Sequence, residues 1–242
     1  MAKMIRWLTM SWSTLSGSCS VRPTGSLRVP LADTGSGGGQ YPDAVIANAV
    51  LSKAMSGTAD PPLLPLPDRV VELLSELGSP PRLAAHLRAV HDVAHQLVGW
   101  VGRRYPAVVF DREAVLFGAA THDIGKTVHL AELAGPGSAH EETGQTLLLE
   151  RGVGPELARF AATHASWANV RVGIEDLLVS LADKIWKNKR VPDLEDLVVA
   201  RLAEASGRAA WEEFIALDEV LSAIGDTADE RLEFQASFPI RN

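Results

Sequence analysis

From Pro67 onward apolar residues return every three or four positions, the interval that lines one face of an α-helix. Val70, Val71, Leu73, Leu74 and Leu77 form the first stripe, which ends at Gly78-Ser79-Pro80-Pro81. The pattern then predicts a long helix over about 81–103, stopping before Pro106, and a third that Asp111 caps and that runs to about His122. Gly135-Pro136-Gly137-Ser138 reads as a loop, and Ser138 with Glu141 suits a capping box opening the next helix. That helix stops near Gly152, and Gly154-Pro155 starts another reaching about Ser166. Residues 174–188, 193–205 and 208–235 read as three more. No stretch keeps strand-like alternation, so the pattern predicts an all-α fold of six to eight helices.

The N-terminal quarter has a different texture. Residues 11–40 are rich in Ser and Gly, and Pro61, Pro62, Pro65 and Pro67 follow. Such a composition buries little apolar surface, so residues 1–62 read as a disordered or loosely attached segment and 63–242 as the folded domain. Met55 is a second candidate start. Met1–Cys19 sets Lys3 and Arg6 ahead of Trp7-Leu8-Thr9-Met10 in the outline of a secretory signal, but Ser11, Ser13 and Ser16 interrupt the apolar stretch. Leu15 also stands one place too far from Cys19 for a lipobox. No apolar run reaches the roughly 18 residues of a membrane span, so the expected location is cytoplasmic, without a membrane partner.

Charge and cysteine usage narrow the chemistry. The 242 residues carry a formal net charge of −7, which gives no long-range attraction to DNA or RNA. A nucleotide-sized substrate remains compatible where a metal supplies the positive charge. Cys19 is the only cysteine, which excludes an intrachain disulfide and a thiolate zinc cluster. Any metal must then be held by histidine and carboxylate.

Of the seven histidines, His122 has the most informative context. Thr121-His122-Asp123-Ile124-Gly125-Lys126 follows the apolar run Ala114 to Ala120. An adjacent His-Asp pair at a helix end can offer one cation both an imidazole nitrogen and a carboxylate oxygen. Gly125 is expected to relieve the backbone as the chain leaves the helix. This string resembles the signature of the HD superfamily of phosphohydrolases in its HDIGK form. His86, in Leu83-Ala84-Ala85-His86-Leu87-Arg88, is similar to the family's first histidine, and Asp183, in Leu181-Ala182-Asp183-Lys184, to its late aspartate. His140 in Ala139-His140-Glu141-Glu142 and His164 in Ala162-Thr163-His164-Ala165 resemble the extra histidines of two-metal branches.

The resemblance covers residues 80–190 and implies an HD-domain helical bundle. It implies one ion held by His86, His122, Asp123 and Asp183, with Asp123 bridging to a second on His140 and His164. Four imidazoles and two carboxylates suit Fe, Mn, Co, Ni or Zn, not Ca. The implied reaction is hydrolysis of a phosphomonoester or phosphoanhydride in a small nucleotide-like substrate by a metal-activated hydroxide. Asp123 and Lys126 are the expected catalytic groups, and Lys126, Lys184 and Lys187 the expected substrate-binding cations.

Plainer readings accompany these. His91, His95 and His129 read as packed or solvated residues. His91-Asp92-Val93-Ala94-His95 imitates the zincin HExxH with Asp for Glu, but His86 and His95 lie nine residues apart, nearly opposite at about 100° per residue. The basic run Lys184, Lys187, Lys189 and Arg190 suits either a helix C-terminus or a phosphorylated ligand. Trp167 and Trp186 read as core residues, and Glu141 as either the capping-box partner or a bond to a ligand histidine. A mixed-valent di-iron oxygenase of the same superfamily would use the same ligands. A non-catalytic metal-stabilised domain binding a nucleotide or partner is a further class. Acidic charge disfavours a CRISPR-type HD nuclease, and no Gly-Tyr-Pro follows Lys126, which discounts cyclic-dinucleotide hydrolysis. Residues 191–242 read as amphipathic helices that pack on the core or on a twin subunit of a homo-oligomer.

Overall fold

A computed structural model describes residues 42–167 and 172–241, with side chains from residue 48 onward. The readings made for Met1–Cys19, and for the rest of 1–41, lie outside the described residues. The helices run in the order α1 (Pro42–Ser56), α2 (Asp68–Glu76), α3 (Pro81–Arg104) and α4 (Arg112–Thr121), followed by two 3-10 turns (Ile124–Thr127 and Leu130–Leu133). Then come α5 (Ala139–Glu150), α6 (Pro155–Thr163), α7 (Ile174–Ile185), α8 (Pro192–Ser206), α9 (Ala210–Gly225) and α10 (Ala228–Ala236). The fold is all-α, without a strand among the described residues. None of their helices is long and apolar enough to cross a membrane.

The 24-residue α3 is the axis of the bundle. Leu83, Leu87, Val90, Val93, Leu97, Val98 and Val101 are fully buried, and Ala84, Ala85, Ala89 and Ala94 fill the other faces. The first half of α3 is buried on nearly every side, so neighbouring helices must cover it all round. The small residues let α1, α4, α7 and α10 pack closely around it. Asp111 caps α4, its carboxylate accepting from the Ala114 amide at 3.0 Å.

Two sequence readings are corrected. The span 1–62, taken as disordered or loosely attached, includes α1, whose Leu51, Ala54 and Met55 are buried in the core with Leu63 and Leu66. The proline-rich connection after α1 is held by polar side chains of α3. Arg88 donates to Leu63 O and Leu64 O at 2.7 and 2.9 Å, and Leu64 N donates to Asp92 Oδ1 at 3.1 Å. Composition averaged over a Ser/Gly-rich window does not register such distant partners.

Residues 208–235, read as one helix, are two. The break follows Gly225, where a Cβ would stand 2.5 Å from Asn188 Oδ1. Arg231, buried beyond the turn, donates to Trp186 O at 2.8 Å and to Ile224 O at 2.5 Å. One guanidinium thereby satisfies carbonyls left at the ends of α7 and α9.

Candidate metal centre

Six side chains from five helices converge. α3 contributes His86 from one of its inner turns, the C-terminal end of α4 His122 and Asp123, the first turn of α5 His140, the C-terminal end of α6 His164, and α7 Asp183. None is more than 7% exposed. His86, His122 and Asp123 have donor atoms within 4.8 Å of one another, as do His122, His164 and Asp183, and Asp123, His140 and His164.

Asp123 lies between two pairs of imidazoles. Its Oδ2 is 3.1 Å from His86 Nε2 and 3.6 Å from His122 Nε2. Its Oδ1 is 3.0 Å from His140 Nε2 and 3.6 Å from His164 Nε2. Asp183 Oδ1 approaches His122 Nε2 at 3.4 Å.

The tautomers follow from local geometry. His122 Nδ1 faces Ala119 O at 2.9 Å and His164 Nδ1 faces Ala161 O at 3.0 Å. Both contacts use carbonyls left open at a helix C-terminus. A carbonyl only accepts, so each Nδ1 carries the proton and each Nε2 turns a lone pair to the centre. His140 Nδ1 lies 2.5 Å from Glu132 Oε2. His140 Nε2, though near Asp123, has no partner in hydrogen-bond geometry among the described residues. Four inward-facing imidazole nitrogens around two carboxylates fit a divalent transition metal on donor chemistry.

The electrostatics favour the same state. Burial opposes ionisation of Asp123, but His122, His140 and His86 hold its carboxyl well below the usual range. Burial likewise opposes ionisation of Asp183, which His122 and Lys184 nevertheless hold low. Burial lowers His86 and brings His164 down to about 4, favouring neutral rings. His140 is the exception: burial disfavours its charge, yet Asp123 and Glu132 raise it.

The cations occupy distinct positions. Lys126 Nζ contacts Asp123 Oδ2 at 2.5 Å, and Lys184 Nζ contacts Asp183 Oδ2 at 2.5 Å. Lys126 and Lys187 line a cavity of about 530 Å³ over the centre, with His86 and Trp186. Leu133 and Pro136 form one wall, and Leu232 and Gln235 of α10 another. Lys184 instead has its ammonium 5.7 Å over the Trp167 ring, and Arg190 is engaged by Glu195 and Asp218. Trp186 packs edge-on against His86, with ring centroids 4.9 Å apart.

Glu132 is the group that the sequence reading missed. The proposed capping box does not form: Ser138 makes no side-chain bond to the helix. Glu132 caps α5 instead, taking Ala139 N and His140 N at 3.2 Å each while it holds the His140 ring. Glu141 and Glu142 make no such bond. A carboxylate eight residues before a histidine, across a glycine-rich loop, gives no periodic signal.

Gly125 also has a different role. Its φ is not positive, so the left-handed region is not what demands glycine. A Cβ there would stand 2.0 Å from His140 O and 2.7 Å from Gly144 N. The glycine lets the turn after Asp123 lie against α5.

The remaining histidines stand outside the cluster. His91 is buried, with Nδ1 unpartnered among the described residues. His95 Nε2 meets Arg112 at 3.0 Å, and His129 Nε2 meets Thr143 Oγ1 at 2.8 Å.

Comparison with family models matches residues 83–188 to the HD domain. No curated protein and no solved structure matches the chain.

Proposed function

Because residues 83–188 match the HD domain, we propose that the chain is a metal-dependent phosphohydrolase cleaving a phosphomonoester or phosphoanhydride of a small nucleotide-like substrate. The observation that carries this reading is Asp123, whose two oxygens each serve a separate pair of imidazoles. His86, His122, Asp123 and Asp183 would hold one cation, and Asp123, His140 and His164 a second. When bound, the cations supply Lewis acidity toward water and phosphoryl oxygens.

The chain's own groups do the rest. Lys126 and Lys187 put two ammonium groups at the cavity beside the centre, where they orient a phosphate and offset its charge. Lys126, already on Asp123, would offset the developing negative charge. Buried His86 and Trp186 close one side of the cavity against water. Leu133, Pro136 and Leu232 offer apolar walls to the organic part, and the Gln235 amide offers it a donor and an acceptor. The volume suits a mononucleotide, since sites for such ligands span roughly 300–1,000 Å³.

The test is metal analysis with phosphate release from nucleoside mono-, di- and triphosphates under Mn, Fe, Co, Ni and Zn. Two metals per chain are expected, with release from one nucleotide class and loss of both in Asp123→Asn. Wild-type release by that variant would overturn the proposal. So would oxygen uptake by iron-loaded protein that releases phosphate from nothing, which is the oxygenase outcome.

A further inference from the structure

We infer that the chain has a second ligand site, remote from the metal centre, that binds a flat ring carrying a phosphate or carboxylate. The site is a cavity of about 430 Å³ between α3, the start of α4 and α9. Arg103 and Arg112 line it, with His95, Gln96 and Trp100. No carboxylate lines it, in a chain with 30 acidic residues.

Three features show that the cavity is built. First, neither Arg103 nor Arg112 has an ion-pair partner among the described residues. Arg112 donates to His95 Nε2 at 3.0 Å, a contact that fixes the guanidinium without neutralising it. Second, Arg112 is the first residue of α4, where the helix dipole disfavours a cation. Asp111 and Glu113 flank it in sequence, but neither forms an ion pair with it among the described residues. Asp111 caps the helix, and both Asp111 and Glu113 line a different groove, beside Pro67 and Leu157. An oxyanion held between the two arginines would remove the conflict and receive charge-assisted hydrogen bonds.

Third, Gly99 lies inside α3, within its last two turns, at a usual cost of about 1 kcal/mol relative to alanine. A Cβ there would stand 3.2 Å from Arg103 Nη1, so the absent side chain makes room for the guanidinium to fold back over the cavity floor. Trp100, held edge-on by Tyr105 with centroids 5.3 Å apart, gives the ligand ring a fixed surface. Val220 and Ala223 of α9 form the opposite wall. α4 runs from this cavity to His122, about 15 Å at 1.5 Å per residue, so the two sites lie at opposite ends of one helix.

The probe is AMP, measured by equilibrium dialysis against the full chain in EDTA, so that the metal centre contributes no cation. One AMP per chain is expected, with affinity reduced about tenfold or more by Arg103→Gln and by Arg112→Gln, and unchanged by Lys126→Gln. Gly99→Leu, which fills the floor and displaces the Arg103 guanidinium while keeping the net charge, should abolish binding while the melting temperature is kept. Binding lost in Lys126→Gln and kept in the arginine variants would overturn the inference, because AMP would then lie over the metal centre. Binding unaffected by all four substitutions would overturn it as well. Inorganic phosphate binding as tightly as AMP would refute the role given to the ring.

Discussion

Glu132 does for His140 what backbone carbonyls do for His122 and His164: it accepts a hydrogen bond from Nδ1 and leaves Nε2 to the centre. Its own carboxyl is held low, chiefly by that bond to His140. Glu132→Gln keeps the shape but removes the anion, and partners of this kind are typically worth 10–100-fold in metal affinity. On the proposed two-ion reading, the loss should fall on the ion at His140 and His164, and metal titration would read it as one weakened site beside one intact site. Equal weakening of both would refute the assignment.

Away from the candidate metal centre, His91 contributes to proton-linked stability. Burial pushes it from 6.5 to about 4, so the folded chain binds fewer protons than the unfolded chain between those values. Its contribution is therefore complete above about pH 6.5 and is lost as pH falls toward 4, by up to about 3 kcal/mol. Denaturant melts of metal-free wild type and His91→Gln at pH 7 and pH 4 should differ by that amount, the variant losing less on acidification. The ligand histidines are common to both proteins and cancel.

The turn Ile124–Thr127 and helix α5 act as one unit because Gly125 lets their backbones touch. Asp123 precedes that contact and His140 lies on its far side, so the packing sets the distance between the two halves of the centre. Gly125→Ala must push α5 outward, since the obstructing atoms are backbone and not a flexible side-chain tip. Overpacking of this kind costs about 1–3 kcal/mol and occasionally more. A lower urea midpoint is expected, together with loss of the ion on His140 and His164. A variant with unchanged midpoint and two bound ions would show that α5 does not need this approach.

Across the molecule, five helices are tied by six buried histidine and aspartate side chains spread over residues 86–183. A cation bound there binds only the folded chain, and at 100 times its dissociation constant it adds about 2.7 kcal/mol. Chelation should therefore lower the melting temperature, and adding back Mn or Zn should restore it. A midpoint indifferent to both would remove the metal centre from the account. The C-terminal helices share in this architecture: α10 lies beyond the HD-domain match, yet Arg231 anchors it to α7 and α9 while Leu232 and Gln235 wall the cavity.

How much of this could be read from the chain alone follows the range of each interaction. Helical periodicity repeats within a turn, so the long α3 and the capped α4 were visible in the pattern of residues. The adjacent His122 and Asp123 advertise ligand chemistry whatever surrounds them, and Asp183 and the other histidines could be picked out in their order. The remainder depends on partners that linear order does not encode. α1 joins the core because α3 rewards its apolar side, against the composition around it. The helix after 208 breaks because Arg231 finds carbonyls 45 and 7 residues away. Glu132 reaches His140 only because the loop between them folds back. Spacing along the chain specified helices and donor atoms, whereas which groups meet was set by packing, where a buried charge or carbonyl must find a partner or cost the fold its stability.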